Sequence, residues 1–579
     1  MIEKFIYQIS TKRNHHTEMK ALSFILLLLF FLIIPTGCVS DNIENQNSLT
    51  SSYQQSLVNN TSQRREDPSG QNPDQPLGLL KKVPIDEITI PEIEFSTDPN
   101  TEQKIASLTI EQVVARALAN SPEIRVVSFS PSIAQQDITK AASEFDVTAF
   151  SSINYDSEDN PPTSIYQPGQ SDERSLETGI RKKTTTGSEW SLSYALTRNW
   201  DDLSGRPLPT RYEPILGFQL RQPLLRDAWK GITLAGVDIA KLNYEIALLD
   251  FRKKAEDITT EVISTYWRLM QARRNMEIYQ GLLDRTRATF EKVKGRRQID
   301  ATDVHIKQTE AYVKIREAAL LQISKQVIDT QDILIRLMGD AQLNIFDEFN
   351  IVPSSEPTQV IEEYKVSKLL EIALQKNPVI QQAKIGVDIA VINIRVAENQ
   401  DMPSLDLITS ARTQGLARGH ENAHDNLNSG DYVSYGIGLS LEYPLGNRQR
   451  DAELLQRKIK RRQAVAGLQN VSDQLAELTR ERVRKVETNY AEIQIQEQAM
   501  EAAQLHLKVL EDSEVVLDKL TPEFLLVKLQ AQESLANAQM SRIRAITDFN
   551  IALVELAQTT GTVLELHQVE ESLPTVSEQ

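Results

Sequence analysis

The sequence ALANSPEI at residues 117–124 returns in altered form as ALQKNPVI at residues 373–380. Its central prolines, Pro122 and Pro378, are 256 residues apart. The match resumes further along the chain, where GFQLRQPLL at 217–225 aligns with GLSLEYPLG at 438–446. A repeat of this length is a whole structural module, far longer than the unit of a solenoid. The sequence therefore predicts one fold that has been duplicated and fused.

Each copy contains a long stretch with apolar side chains at every seventh position. In the first copy these are Val262, Leu269, Met276, Leu283 and Phe290, and in the second Val486, Ile493, Met500 and Leu507. A seven-residue period is typical of left-handed coiled coils, because the apolar seam stays in contact only if the helices wind around one another. A simple bundle helix is the alternative interpretation. We expect an antiparallel helical hairpin in each copy, the first beginning with a helix over about residues 232–294.

Before the prolines of GFQLRQPLL and GLSLEYPLG, Pro223 and Pro444, the period changes to two. Apolar residues alternate with small or polar ones along 190–197, 216–221 and 433–443. Further candidate strands are 147–155 and 405–413, with a hairpin around 184–187. A barrel strand between lipid and water gives this alternation, and so does a soluble sheet over a core. The strands alone do not decide between the two.

The beginning of the chain favours a membrane location. Lys20 precedes an apolar run at residues 21–34, which is too short to cross a bilayer but has the length of a signal-peptide core. The only cysteine, Cys38, follows Pro-Thr-Gly, an arrangement that resembles a bacterial lipobox. We therefore predict a signal peptide over 1–37 and a lipid on Cys38, with cleavage of an ordinary signal peptide as the alternative.

Composition limits the other possibilities. Residues 38–104 are rich in Asn, Gln, Ser, Asp and Pro, which predicts a flexible polar tether. The net charge of -17 argues against a nucleic-acid partner, because phosphate binding needs a positive surface. A single cysteine excludes an intramolecular disulfide and a thiolate zinc site.

One motif could indicate an enzyme. The sequence HENAH at residues 420–424 matches the zinc-protease pattern, which requires a helix so that both imidazoles face one metal. Its flanks, QGLARG and DNLNSG, predict a surface loop between two strands instead. We therefore predict no catalytic residue, no metal site and no cofactor.

The doubled segments LTIEQVVARALANSPEI at 108–124 and its partner at 366–380, with the junctions QPLL and YPLG, resemble the TolC-like outer-membrane efflux proteins of the outer membrane factor lipoprotein family. The likeness covers about residues 105–565 and gives a first repeat over 105–352 and a second over 353–579. The resemblance implies a mostly α fold with a membrane β-barrel portion. Each duplicated unit supplies helices, strand, strand and a long helical hairpin to a trimeric β-barrel and an α-helical coiled-coil barrel. Closure by three copies also removes the open strand edges that lipid does not tolerate.

The resemblance further implies a passive conduit from periplasm to exterior, lipid-anchored in the outer membrane of a Gram-negative bacterium. The implied partners are two sister chains, outer-membrane lipid, a periplasmic adaptor protein and an inner-membrane pump or ABC exporter. Adaptor contact and a closed gate are expected at the hairpin tips, at Gly295, Asp300, Asp303, Asp518, Lys519, Thr521 and Glu523. Pro223 and Pro444 are expected at the strand-to-helix junctions.

Two features of the sequence separate this chain from a fully typical relative. Relatives carry acidic residues in a DVLDA-like segment near the gate, where this chain has VKLQA at 527–531. Val527 and Gln530 therefore stand where carboxylates are expected. A pore-less coiled-coil spacer of the envelope is the alternative function. The exported substrate, the transporter, the number of barrel strands and the gating residues do not follow from the sequence.

Overall fold

A computed structural model describes residues 93, 95–97, 104–161, 164, 166–203, 207–299, 301–343, 349–516 and 521–566. The strands are β1 (Phe95–Thr97), β2 (Lys104–Leu108), β3 (Thr148–Asp159), β4 (Gln170–Lys183), β5 (Glu189–Asp201), β6 (Thr210–Pro223), β7 (Phe349–Pro353), β8 (Ser404–Gln414) and β9 (Val433–Glu442). The helices are α1 (Ile110–Asn120), α2 (Pro122–Val127), α3 (Phe129–Ala142), α4 (Lys230–Thr233), α5 (Ala235–Gly295), α6 (Asp303–Met338), α7 (Val366–Lys376), α8 (Pro378–Gln400), α9 (His420–Ser429), α10 (Arg448–Val516), α11 (Pro522–Thr560) and α12 (Val563–Leu566).

The described residues divide into two compact units, and each unit draws on both sequence copies. The strand unit holds 136–240 and 389–461. The helical unit holds the described residues of 49–135, 241–388 and 462–579. Within the described part of the chain, no helix combines the length and the apolar character needed to cross a membrane.

The strand unit contains one six-stranded antiparallel sheet in the order β3-β4-β5-β6-β8-β9. The first copy supplies four of these strands and the second copy two, so the candidate strands of the sequence are confirmed. The predicted hairpin is the turn between β4 and β5, where the amide of Gly187 donates to the carbonyl of Thr184 at 2.9 Å. Gly187 has a φ of +89° and its Cα faces the carbonyl of Asp227, so a side chain does not fit there.

The helical unit buries the predicted seven-residue seams. Val262 and Leu269 are fully buried and Leu283 is 1 % exposed, while Val486 plays the same part in the second copy. Val262 and Leu269 belong to one apolar cluster and Val486 to another, and these clusters join the long helices of each hairpin. The prediction that these positions face a packed interior is therefore confirmed.

The duplication is visible at the ends of the returning helices. Gly339 follows the last residue of α6 and Gly561 the last residue of α11, and both glycines are in the left-handed conformation. A Cβ on Gly339 would meet Pro122 and the carbonyl of Asn120, and a Cβ on Gly561 would meet the carbonyl of Lys376. Each glycine thus packs against the loop before the repeated Pro, which explains why these two elements recur as a pair.

A small sheet in the helical unit was not predicted from the sequence. β2 pairs antiparallel with β1 and parallel with β7. The three residues of β1 belong to the segment predicted as a tether, and for them that prediction is wrong because their backbone pairs with β2. Tyr266 connects α5 to this sheet. Its hydroxyl donates to the carbonyl of Leu108 at 2.9 Å and accepts from the amide of Ser355 at 2.8 Å.

Candidate functional site

The six-stranded sheet has two chemically different faces. On β9 the apolar face carries Val433, Tyr435, Ile437, Leu439 and Leu441, and the opposite, polar face carries Ser434, Gly436, Gly438, Ser440 and Glu442. The strand registers continue these two faces across the sheet, with a few exceptions on each, such as Phe150 on the polar face and Asp172 on the apolar one. On the apolar face, for example, Leu192 lies opposite Ile180 and Phe218. A sheet with this pattern separates an apolar environment from an aqueous one.

Two pairs of charged groups lie on the polar face. Arg221 donates to Asp406 at 2.9 Å, and Arg211 donates to Asp201 at 2.8 Å. Small residues such as Gly217 and Gly438 lie on the same face. The polar face therefore carries hydroxyls, glycines and charged groups.

The apolar face is uncovered at the sheet edges. Ile437 is 78 % exposed on the edge strand β9, and Ile153 is 81 % exposed on the other edge strand, β3. Within the described residues, each of these strands pairs on one side only. Exposed apolar edges of this length favour pairing with another chain.

Pro223 and Pro444 each lie where a strand of this sheet ends and the chain continues toward a long helix. Pro223 is the last residue of β6, and Pro444 follows the last residue of β9, Glu442, by two positions. The loop after Pro223 contains Asp227 and Trp229 at positive φ. The amide of Asp227 donates to the side chain of Asn399 at 2.8 Å, which holds this loop within the strand unit.

The tips of the two helical hairpins pack together in the helical unit. Val293 and Ala301 of the first tip are buried against Leu525 and Leu529 of the second. Thr302 and His305 form a capping box at the start of α6, and the Thr521 hydroxyl accepts from the amide of Phe524 at the start of α11. These caps satisfy backbone amides that the helix starts leave unpaired.

A buried carboxylate joins the two tips. Glu514 accepts from Lys292 of the first hairpin at 2.8 Å and from Lys528 of the second hairpin. The Glu514 and Lys528 side chains are each only 8 % exposed. Burial opposes the charged form of Glu514, but the hydrogen bonds from the two lysines outweigh it and hold the pKa of Glu514 below its ordinary value.

The predicted tip residues occupy different parts of this region. Gly295 ends α5, Asp303 begins α6 and pairs with Arg297 at 3.0 Å, and Glu523 lies in the first turn of α11 beside the cap Thr521. Four of the predicted site residues lie outside the described part of the chain: Cys38, Asp300, Asp518 and Lys519.

In the VKLQA segment at 527–531, the valine is exposed and the lysine is buried, the reverse of their usual positions. Val527 is 39 % exposed and Gln530 is also exposed, while Lys528 between them is buried. Lys528 and Glu514 are not recognisable from the sequence, because a helical sequence does not show which of its charges meets a partner from another helix or hairpin.

The HENAH segment is helical, so its prediction as a loop is wrong. It opens α9, whose buried Ala423 and Leu427 pack on the strands. His424 Nε2 lies 2.6 Å from the Tyr194 hydroxyl, and its Nδ1 lies 2.8 Å from the carbonyl of His420. Both ring nitrogens of His424 are thus engaged. No group of three or more His, Cys, Asp or Glu among the described residues is placed to hold a metal ion.

Residues 369–513 match the family described as outer membrane efflux protein. Among solved structures, the outer membrane protein VceC from Vibrio cholerae is 19 % identical with a TM-score of 0.58, and the match covers 78 % of this chain and 96 % of VceC. The CmeC outer membrane channel of Campylobacter jejuni (13 % identity, TM-score 0.57, 80 % and 89 % covered) and the MtrE outer membrane channel of Neisseria gonorrhoeae (13 %, 0.56, 79 % and 89 %) are similar too. No curated protein matches the sequence significantly.

Proposed function

We propose that this chain, which carries an outer membrane efflux protein domain over residues 369–513 and has the fold of solved outer-membrane channels, is the channel component of an export system. Its activity is to provide a passive conduit across the outer membrane, and it catalyses no reaction. The two-faced sheet with its unpaired apolar edges is the observation that supports this function most directly.

Three copies close the sheet into a barrel. One copy leaves the backbone groups of β3 and β9 without partners on their outer sides, and lipid does not satisfy them. β3 and β9 run in opposite directions, because five antiparallel pairings separate them. β9 of one copy therefore pairs antiparallel with β3 of the next, and six strands from each of three copies make eighteen. A barrel of 16–18 strands encloses an aqueous channel.

We propose a register for this contact from the ends of the two edge strands. Successive pairings place Thr148 of β3 level with Gly436 of β9, six residues before the end of β9 at Glu442. If Glu442 lies opposite Thr148 of the next copy, each set of six strands is staggered by six residues. A barrel whose stagger equals its strand number has a strand tilt of about 36°. This register also places Ile437 opposite Ile153, so the apolar face stays continuous.

We propose that a periplasmic adaptor protein binds the paired hairpin tips. The other proposed partner is an inner-membrane pump or ABC exporter. Asp303, Thr521 and Glu523 are exposed on the tips, next to the buried cluster that holds the tips together. The same region is the proposed closed gate. We propose that a lipid on Cys38 anchors the chain. The Cys38→Ser variant lacks the thiol that carries the lipid, so we expect that a radioactive fatty acid does not label it.

Conductance in a planar bilayer tests the channel function. The purified protein is expected to form trimers that conduct ions in discrete steps, with openings favoured by variants that loosen the tips. Trimers that never conduct, with or without those variants, would indicate the pore-less spacer instead.

A further inference from the structure

One row of side chains on the apolar face contains two arginines. Tyr155 of β3 lies opposite Arg174 of β4, Arg174 lies opposite Arg198 of β5, and Arg198 lies opposite Tyr212 of β6. We call these four residues the arginine row. The neighbouring row toward the helix-proximal ends of the strands is wholly apolar and consists of Ile153, Leu176, Leu196 and Pro214. The arginine row therefore marks the outer border of the apolar belt.

The two guanidinium groups of the row lack a carboxylate partner. Among the described residues, neither Arg174 nor Arg198 has an ion pair, whereas Arg211 and Arg221 on the polar face both do. Arg174 lies over the ring of Tyr155 at 5.3 Å. Like charges directly opposite one another on neighbouring strands repel. Such a pair is stabilised when an anion binds both members.

Aromatic rings bound the arginine row on both sides. Tyr155 closes the β3 side, and its hydroxyl donates to the carboxylate of Asp172 at 3.3 Å. On the β6 side Tyr212 meets the ring of His420 edge-on, with the centroids 6.1 Å apart. Tyrosines with an apolar ring and a polar hydroxyl are typical of the boundary between membrane and water.

We propose that the arginine row binds the phosphate group of a phosphorylated membrane lipid, whose acyl chains lie along the apolar rows beside it. The planar fork of arginine matches phosphate oxygens in a bidentate geometry, and two such forks side by side suit one doubly charged phosphate. Basic clusters at the border of a membrane protein bind anionic headgroups for this reason. The inference rests on the proposed function, because only a membrane barrel places lipid against this face of the sheet.

Lipid retention by the purified complex tests the site. The probes are phosphatidic acid, diacylglycerol with the same acyl chains, and inorganic phosphate, each followed by native mass spectrometry in detergent. The test variant is R174Q/R198Q. The matched control is Arg412→Gln, because Arg412 is an exposed arginine of β8 that lies on the polar face opposite Gly217.

Wild type and the Arg412→Gln variant are expected to bind phosphatidic acid with the same affinity, and R174Q/R198Q is expected to bind it about tenfold more weakly or worse, because charge-assisted hydrogen bonds are lost. Diacylglycerol is expected to bind all three forms equally weakly. Thermal unfolding of R174Q/R198Q is expected at the wild-type temperature or above, since the variant removes a repulsion. A folded double variant that binds phosphatidic acid as tightly as wild type would overturn the proposal.

Two further outcomes would contradict the binding of a phosphorylated lipid by the arginine row. Diacylglycerol binding as tight as that of phosphatidic acid would remove the role of the phosphate. Displacement of phosphatidic acid by an equal concentration of inorganic phosphate would assign the row to a free anion. Bilayer conductance of the same preparations separates this result from the channel function, because all three forms conduct if only the lipid site is absent.

Discussion

Removing the charge of Glu514 is expected to loosen the hairpin tips. The Glu514→Gln variant leaves the ammonium group of Lys528 buried at 8 % exposure without a counter-charge. Loss of one member of a buried pair costs about 3–5 kcal/mol, whereas the bond from half-exposed Lys292 adds at most about 1 kcal/mol. Because glutamine still accepts a hydrogen bond, we expect a cost near the lower limit, about 3 kcal/mol.

Hydrogen exchange measures this cost locally and does not require reversible unfolding of the whole protein. A loss of about 3 kcal/mol corresponds to about a hundredfold fall in the protection of amides that exchange by local opening. The fall is expected around Leu525 and Leu529, which pack at the tip. Amides of the six-stranded sheet are expected to be unaffected and serve as the internal control.

A double variant distinguishes loss of charge balance from loss of packing. Replacing Glu514 and Lys528 together by methionine removes both charges and keeps the side-chain volume, so protection is expected to return to about the wild-type level or above. Unchanged protection in Glu514→Gln, or an equal loss in the double methionine variant, would show that the charge of Glu514 does not stabilise the tips.

The pH dependence of the tip follows from the same pair. A carboxyl whose pKa is lower in the folded than in the unfolded state contributes stability above its unfolded pKa, and this contribution is lost as pH falls through the folded pKa. The pKa of Glu514 is lowered in this way. After correction for intrinsic exchange rates, tip protection is expected to fall below about pH 4 in wild type. It is expected to stay constant in the double methionine variant.

Three other predictions concern the helical unit and the barrel. Glu245 is exposed, but partial desolvation by its neighbours and the nearby charge of Asp388 raise its pKa, so its ionisation costs some stability as pH rises through that pKa. Glu245→Gln is expected to unfold at a slightly higher temperature than wild type at about pH 8, with no gain at about pH 4. Tyr266→Phe leaves the half-buried amide of Ser355 without this partner, while the carbonyl of Leu108 keeps its hydrogen bond from the amide of Ser354. Local stability is expected to fall by about 1 kcal/mol, seen as faster exchange of the Ser355 amide, and an unchanged rate would contradict it. Cysteines at positions 153 and 437 are expected to form disulfides between chains and to give trimers on non-reducing gels, whereas monomers alone under oxidising conditions would argue against the proposed register.

The sequence predicts most of the regular structure because periodicity is a local property. The seven-residue seams and the alternation along β9 depend only on which side chains face a partner. Both patterns can therefore be recognised within one continuous stretch of sequence. The repeated prolines likewise show the duplication directly.

The features that sequence reasoning missed depend on distant residues. β2 and β7 are short strands that pair across more than two hundred residues of chain, and no local pattern marks them. The helix α9 forms in a polar segment because Ala423 and Leu427 find a surface on neighbouring strands. The arginine row exists only once the registers of β3 to β6 are known.

Electron cryo-microscopy of the purified protein shows whether three chains together enclose a channel. We expect three copies around one axis, a single closed ring of eighteen strands with the polar face inward, and water-filled space inside the ring. A monomer, or an assembly whose strands leave β3 and β9 unpaired around a solid bundle, would contradict it.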